Sequence, residues 1–210
     1  MSSAHTPRSE RMLRFCIDIG ERIFLLLLFA TFLMALSKSI EIRPYNILVL
    51  IAEALTALLI IIRRPARAVT LRSQDWLVAF LGTALPMYVR AGGAPLLPPV
   101  IGTALMFSGL LLAIFAQATL RRSFGLVAAN RGPVAAGPYR LIRHPMYAGY
   151  IIIFVGFFLN NPLLQNLVVY TVTIVLQVMR ILAEEKVLRN DPAYGAYAGR
   201  VRYRLLPALF

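Results

Sequence analysis

Six apolar stretches, each closed by basic or turn-forming residues, leave this chain few ways to fold. They run over 15–36, 44–62, 76–89, 97–120, 147–159 and 163–188. The hydrocarbon core of a bilayer takes about 20 apolar residues of helix, and a helix satisfies its own backbone polar groups there. The stretches therefore predict an all-α, polytopic membrane helical bundle of about six transmembrane helices. The third and fifth are short for a straight crossing, whereas the sixth is long enough to project beyond the bilayer. Asn160-Asn161-Pro162 separates the last two and predicts a C-terminal helical hairpin. Composition agrees: the chain is 59% hydrophobic and 15% charged, against about 45–50% and about 25% in soluble domains.

Charge sets the orientation. Of 22 Lys and Arg, nineteen fall in the region up to Arg22, the 63–75 loop, the 121–144 loop and the stretch from Arg180 onward. Only Lys38, Arg43 and Arg90 lie in the intervening loops. Six spans then place both termini and every basic loop on the cytoplasmic side. The same bias accounts for the net charge of +13 without a nucleic-acid partner. The first apolar run lacks a small-residue cleavage site and reads as a retained helix. A single cysteine, Cys16, excludes an internal disulfide. Two histidines, with no CxxC or HExxH spacing, give no metal-site pattern. Glu53, inside the second stretch, either holds a structural hydrogen bond or lines a cavity.

Polar, turn-rich sequence concentrates in two places. The first is the 130–147 segment, where two Gly-Pro steps keep backbone groups free and Arg143, His144, Tyr139 and Tyr147 supply a cation, donors and aromatic faces. A basic membrane-edge loop also suits lipid phosphate, but headgroup contact does not require Gly-Pro-Tyr and Arg-His-Pro together. The second is the end of the sixth stretch. Thr173, Gln177, Arg180 and Glu184 are spaced four, three and four apart, which puts them on one helical face. Arg180 and Glu184 either pair as surface charges or divide two tasks. In the second case Arg180 holds an anionic substrate group bidentately, and Glu184 holds a cationic or hydroxyl-bearing cofactor. The tail beyond, with Tyr194, Tyr197, Arg200, Arg202, Tyr203 and Arg204, is basic, aromatic and able to cap a site.

Gly137-Pro138-Tyr139, Arg143-His144-Pro145 with Tyr147, Glu184-Glu185-x-x-Leu188 and the tail ending at Pro207 together resemble the isoprenylcysteine carboxyl methyltransferase family. That family is related to the membrane phospholipid N-methyltransferases. The likeness covers roughly 123–207 and divides the chain into a four-helix transmembrane region, 1–122, and a methyltransferase motif region, 123–210. It implies an S-adenosyl-L-methionine-dependent enzyme whose cofactor pocket is cytoplasmic and covered by the C-terminal segment. A lipid-like or prenylated acceptor is implied to enter sideways from the surrounding membrane lipids. By motif match, cofactor contacts fall on Arg131, Gly132, Pro133, Val134, Tyr139, His144, Pro145, Met146, Tyr147 and Glu184. Arg180 matches the holder of a substrate carboxylate, with Arg143 and Arg202 as further contacts to anionic groups. The catalytic set implied is Arg180, Glu184, Glu185 and Arg143. Eukaryotic members of the family have more spans, so this short chain is expected in a prokaryotic inner membrane.

The chemistry suits these residue types. Displacement at a sulfonium methyl needs donor and acceptor in line at about 3–3.5 Å with water excluded. A carboxylate acceptor is already ionised near neutrality, while an amine acceptor needs a base, for which Glu184 or Glu185 would serve. Tyr139, Tyr147 and Tyr203 offer aromatic faces for adenine. Within the family, a phospholipid amine or a thiol are alternative acceptors. Outside it, sterol-type reductases using NADPH share the hairpin, the Arg-His-Pro motif and a Tyr-Arg tail, but Glu184-Glu185-x-x-Leu188 favours the methyltransferase. A non-enzymatic membrane protein such as a transporter is the remaining alternative, and the lack of repeated halves argues against it.

Overall fold

Where the sequence is most continuously apolar, the chain forms its longest helices. The computed structural model describes residues 68–70, 72–90, 92–123, 128–130 and 132–205, with scattered positions between 12 and 62. From Ser73 onward, five helices follow one another among the described residues: α1 (Ser73–Ala84), α2 (Pro99–Leu120), α3 (Pro145–Asn160), α4 (Leu164–Leu188) and α5 (Pro192–Arg200). A short ladder, β1 (Ala68–Val69) with β2 (Ala129–Asn130), runs antiparallel and pairs Ala68 with Asn130. Among the described residues, α2 and α4 are long and apolar enough to cross a membrane, and α3 is a shorter apolar helix. Val168, Val172, Val175 and Met179 leave one face of α4 exposed, as Phe107, Leu111 and Phe115 do on α2. Bare apolar faces of this kind cost about 25 cal/mol per Å² in water, and a lipid environment removes that cost.

α2 and α3 pack backbone to backbone. A Cβ built on Gly102 would lie 2.7 Å from the carbonyl oxygen of Gly156, and one on Gly109 would lie 2.6 Å from that of Gly149. Both pairs recur at a seven-residue spacing, so two antiparallel helices meet twice on one stripe. Such close approach, which only glycine permits, favours dispersion and Cα–H···O contacts where apolar burial against lipid offers no drive.

α1 packs against α4, and a proline shapes that contact. Pro86, in the 3-10 turn Leu85–Tyr88, ends α1 and has no N–H to give the Gly82 carbonyl. Gln177 Nε2 donates to that oxygen instead, at 3.2 Å. The missing side chain of Gly82 also makes room for Arg180, whose Cδ would lie 3.4 Å from a Cβ placed there. The described positions from 12 to 34 are helical; Phe24 meets Phe80 edge to face at 4.6 Å, and Phe29 joins a core that includes Ala79, Tyr139, Tyr147 and Ile181.

Two expectations change in detail. The third stretch is not one continuous crossing: α1 starts at Ser73 and gives way to the 3-10 turn at Leu85, because Pro86 cannot continue the helix. The turn at Asn161 does join α3 to α4, yet α3 finds its broad packing partner in α2 through the glycine stripe. Most of the second stretch, including Glu53, lies outside the described residues. At the turn itself, buried Asn166 accepts from Arg90 N at 3.0 Å and donates to Arg90 O and Asn161 O, both at 2.8 Å.

Candidate active site

The polar loop before α3 is folded inward by its prolines and glycines. At Gly137, φ is +51°, and a Cβ there would lie 2.9 Å from Thr119 Oγ1, so glycine is needed both for the turn and for the approach to α2. The 3-10 turn Gly137–Arg140 then buries Tyr139. Pro145 opens α3 at a position whose N–H would find no helical partner. That places Tyr147, fully buried, on the first turn of α3, where its Oη donates to Glu184 Oε1 on α4.

A cleft of about 90 Å³, measured as space open to the centres of water molecules, lies where these elements meet. This is several times the volume that a single water occupies on that measure. Gly132, Pro133, Val134, Tyr139, His144, Met146 and Tyr147 line it. Glu184 and Leu188 close it from α4, Leu120 and Ser123 from the end of α2, and Tyr194 and Tyr197 from α5. Arg143 also reaches the lining.

The C-terminal segment is tied over the cleft at several points. Tyr197 Oη donates to the Tyr139 carbonyl at 2.8 Å. Arg143 N donates to Tyr203 O and His144 N to Arg204 O, each at 2.9 Å. Asn130 Nδ2 donates to Asp191 Oδ2 at 2.9 Å, while Asp191 Oδ1 accepts from Ala193 N at 3.0 Å and caps α5. Burial raises the Tyr139 phenol well above its usual range, with the Glu184 charge adding to it. Burial likewise pushes Tyr194 up to about 12, helped by Glu185, and Tyr197 moves the same way. The tyrosines around the cleft thus stay neutral donors at ordinary pH.

The adjacent carboxylates of α4 face different surroundings. Glu184, with 20% of its side chain exposed, borders the cleft. Glu185, at 3%, lies behind it, 2.7 Å from Arg143 Nη1 and 2.9 Å from Arg204 Nε. Between them stands His144, its Nδ1 3.7 Å from Glu184 Oε2 and its Nε2 3.5 Å from Glu185 Oε1.

The structure therefore gathers most of the residues read from the motifs and separates a few. Gly132, Pro133, Val134, Tyr139, Arg143, His144, Met146, Tyr147 and Glu184 share the cleft. Pro145 is buried at the start of α3 and Glu185 sits off the lining, while Arg131 lies outside the described residues. Arg202 is exposed and contributes its carbonyl oxygen, which accepts from Arg143 Nη2 at 2.9 Å. Arg180 is buried beside the cleft: its Cζ lies 5.2 Å from the Tyr147 ring centroid, and its Nη1 donates to Gln177 Oε1 at 3.0 Å. Leu188, the last residue of the Glu184-Glu185-x-x-Leu188 motif, also lines the cleft, whereas Leu120 and Ser123 carried no motif in sequence. The Asn130–Asp191 link was also missed, although Asp191 before Pro192 is a legible helix start.

Residues 97–195 match the family model of the phospholipid methyltransferases. In three dimensions the chain is similar to the solved structure of the eukaryotic intramembrane Ras methyltransferase, isoprenylcysteine carboxyl methyltransferase. The TM-score is 0.51 at 19% identity, over 97% of this chain and 88% of that one. No curated protein matches the chain in sequence. The family match bears out the resemblance read from the motifs, and the likeness to the solved structure is one of fold.

Proposed function

We propose that this chain is an S-adenosyl-L-methionine-dependent membrane methyltransferase that methylates the carboxylate of a lipid-like acceptor arriving from the bilayer. The observation that carries the reading is the convergence of Tyr139, Tyr147 and Glu184 on one cleft closed by Tyr194 and Tyr197. The residues fit the cofactor: aromatic and apolar walls suit a purine, and Glu184 is the partly exposed carboxylate available to a cationic or hydroxyl-bearing group. When bound, S-adenosyl-L-methionine supplies an electrophilic methyl group. Gly132, Pro133, Val134, Tyr139, His144, Met146, Tyr147 and Glu184 would hold it, and Tyr194 and Tyr197 would keep water out.

Arg180 lies over the ring of Tyr147, a residue of the cleft lining. From there Arg180 would orient the acceptor carboxylate at the cleft edge through a two-pronged contact, steadied by Gln177 and by the ring beneath it. Arg143 contributes positive charge at the cleft edge. An acceptor carboxylate would need no prior loss of a proton, so the residues would have only to align it and to exclude water. The distribution of basic residues supports a cytoplasmic position for the cleft.

The test is a methyl-transfer assay on the protein purified in detergent. Methyl-labelled S-adenosyl-L-methionine is offered with a prenylcysteine carboxylate, a phospholipid amine or a small thiol. Base-labile label on the carboxylate is the expected result. Label on the amine or thiol overturns the carboxyl assignment. Thermal stabilisation by NADPH, and not by S-adenosylhomocysteine, overturns the methyltransferase reading.

A further inference from the structure

Glu185 is the most heavily contacted carboxylate among the described residues, and it does not face the cleft. Oε1 lies 2.7 Å from Arg143 Nη1 and 3.5 Å from His144 Nε2. Oε2 receives Arg204 Nε at 2.9 Å, with Arg189 Nη2 at 3.4 Å. These basic side chains come from three parts of the chain: the loop before α3, the tail after α5, and the C-cap of α4. The two backbone bonds from Arg143 N and His144 N to Tyr203 O and Arg204 O lie at the same junction. Arg143 and His144 are both cleft-lining residues.

We infer that Glu185 is a positioning residue: it clamps Arg143 and Arg204 together, so that the tail stays paired to the loop and the cleft keeps the shape that its ligand needs. This deepens the methyltransferase reading and rests on it for the ligand alone. A buried carboxylate held by two guanidinium groups is strongly favoured in its charged form. Removing the charge leaves Arg143, 7% exposed at its side chain, without its nearest anion, and a desolvated unpaired cation is costly. Glu184, which borders the cleft, is faced by His144 from the same junction. Loss of Glu185 therefore disturbs a junction that reaches the cleft lining.

The experiment uses the full chain in detergent micelles and reads two quantities. One is S-adenosylhomocysteine affinity by calorimetry; the other is hydrogen exchange at the Arg143 and His144 amides, which donate to the tail. Glu185→Gln should weaken affinity at least tenfold and speed exchange at those amides, with exchange in α2 and α3 unchanged. Arg204→Gln, which cuts the same clamp from its more exposed side, should do likewise and guards against a Glu185 variant that fails to fold. Arg204→Lys keeps the charge and should recover part of the affinity. The double variant Glu185→Gln with Arg204→Gln should lose less than the sum of the two. Unchanged exchange at Arg143 and His144 in the folded variants overturns the inference, as does additive loss in the double variant. Should wild-type protein not bind S-adenosylhomocysteine, the cofactor reading fails, while the exchange measurements still decide the clamp.

Discussion

Gly109 and Gly149 face each other across α2 and α3 so closely that a Cβ on either would lie 2.6 or 2.7 Å from the other's carbonyl oxygen. Gly109→Ala therefore drives a methyl group into backbone that cannot rotate away. Overpacking of this kind costs about 1–3 kcal/mol, and a chain of this size loses roughly 2–4 °C of melting temperature per kcal/mol. Thermal unfolding in detergent should show that drop, whereas Gly195→Ala, where a Cβ meets nothing within 4 Å, should show little.

Tyr147→Phe removes the hydroxyl that donates to Glu184. Hydrogen bonds to charged groups contribute about 1.5–3 kcal/mol, so S-adenosylhomocysteine should bind roughly ten- to a hundred-fold more weakly if Glu184 relies on that donor for its aim. Calorimetry on the purified variant provides the check, and an unchanged dissociation constant would show that Glu184 is held without Tyr147.

Arg180→Ala should abolish turnover of a carboxylate acceptor and leave cofactor affinity measurable, because Arg180 lies beside the cleft rather than on its lining. Arg180→Lys should rescue poorly, since an ammonium lacks the planar fork. Paired activity and binding measurements separate the two effects. Turnover at the wild-type rate in either variant removes Arg180 from the mechanism.

Tyr194 should report the state of the cap. Its phenol is pushed up to about 12 by burial and by Glu185, against an ordinary value near 10. A folded-state value above the unfolded one adds stability that is fully present below pH 10 and lost as pH climbs toward 12. Absorbance titration near 295 nm should show Tyr194 ionising late in wild type, with the late component smaller by one tyrosine in Tyr194→Phe, since Tyr139 and Tyr197 also ionise late. An ordinary titration near pH 10 would mean that the cap is open in solution.

The long helices were legible because run length alone fixes them: α2 and α4 begin and end within about two residues of the apolar stretches that announced them. α1 was less so, since Pro86 divides an apolar run that hydropathy treats as continuous. The cleft residues were legible where their chemistry is unusual, as with Gly-Pro-Tyr and Arg-His-Pro. Glu184 was legible because it continues the Thr173, Gln177 and Arg180 face; what sequence could not say was what its neighbour Glu185 meets. Adjacent helical positions point about 100° apart, and only the loop and the tail decide what packs there. The tail posed the same difficulty. Arg202 and Arg204 are chemically alike, yet Arg204 pairs with Glu185 while Arg202 lends only a carbonyl. That outcome depends on the path of the chain around residues 143 and 144.

Pairing of the loop with residues 203 and 204 also bears on synthesis. Arg143 and His144 leave the ribosome long before Tyr203 and Arg204, and their amides wait for those carbonyls. A nascent chain can insert its helices one after another, but the chamber has no roof until the final stretch is translated. Products of premature termination upstream of residue 203 should therefore reach the bilayer yet remain inert.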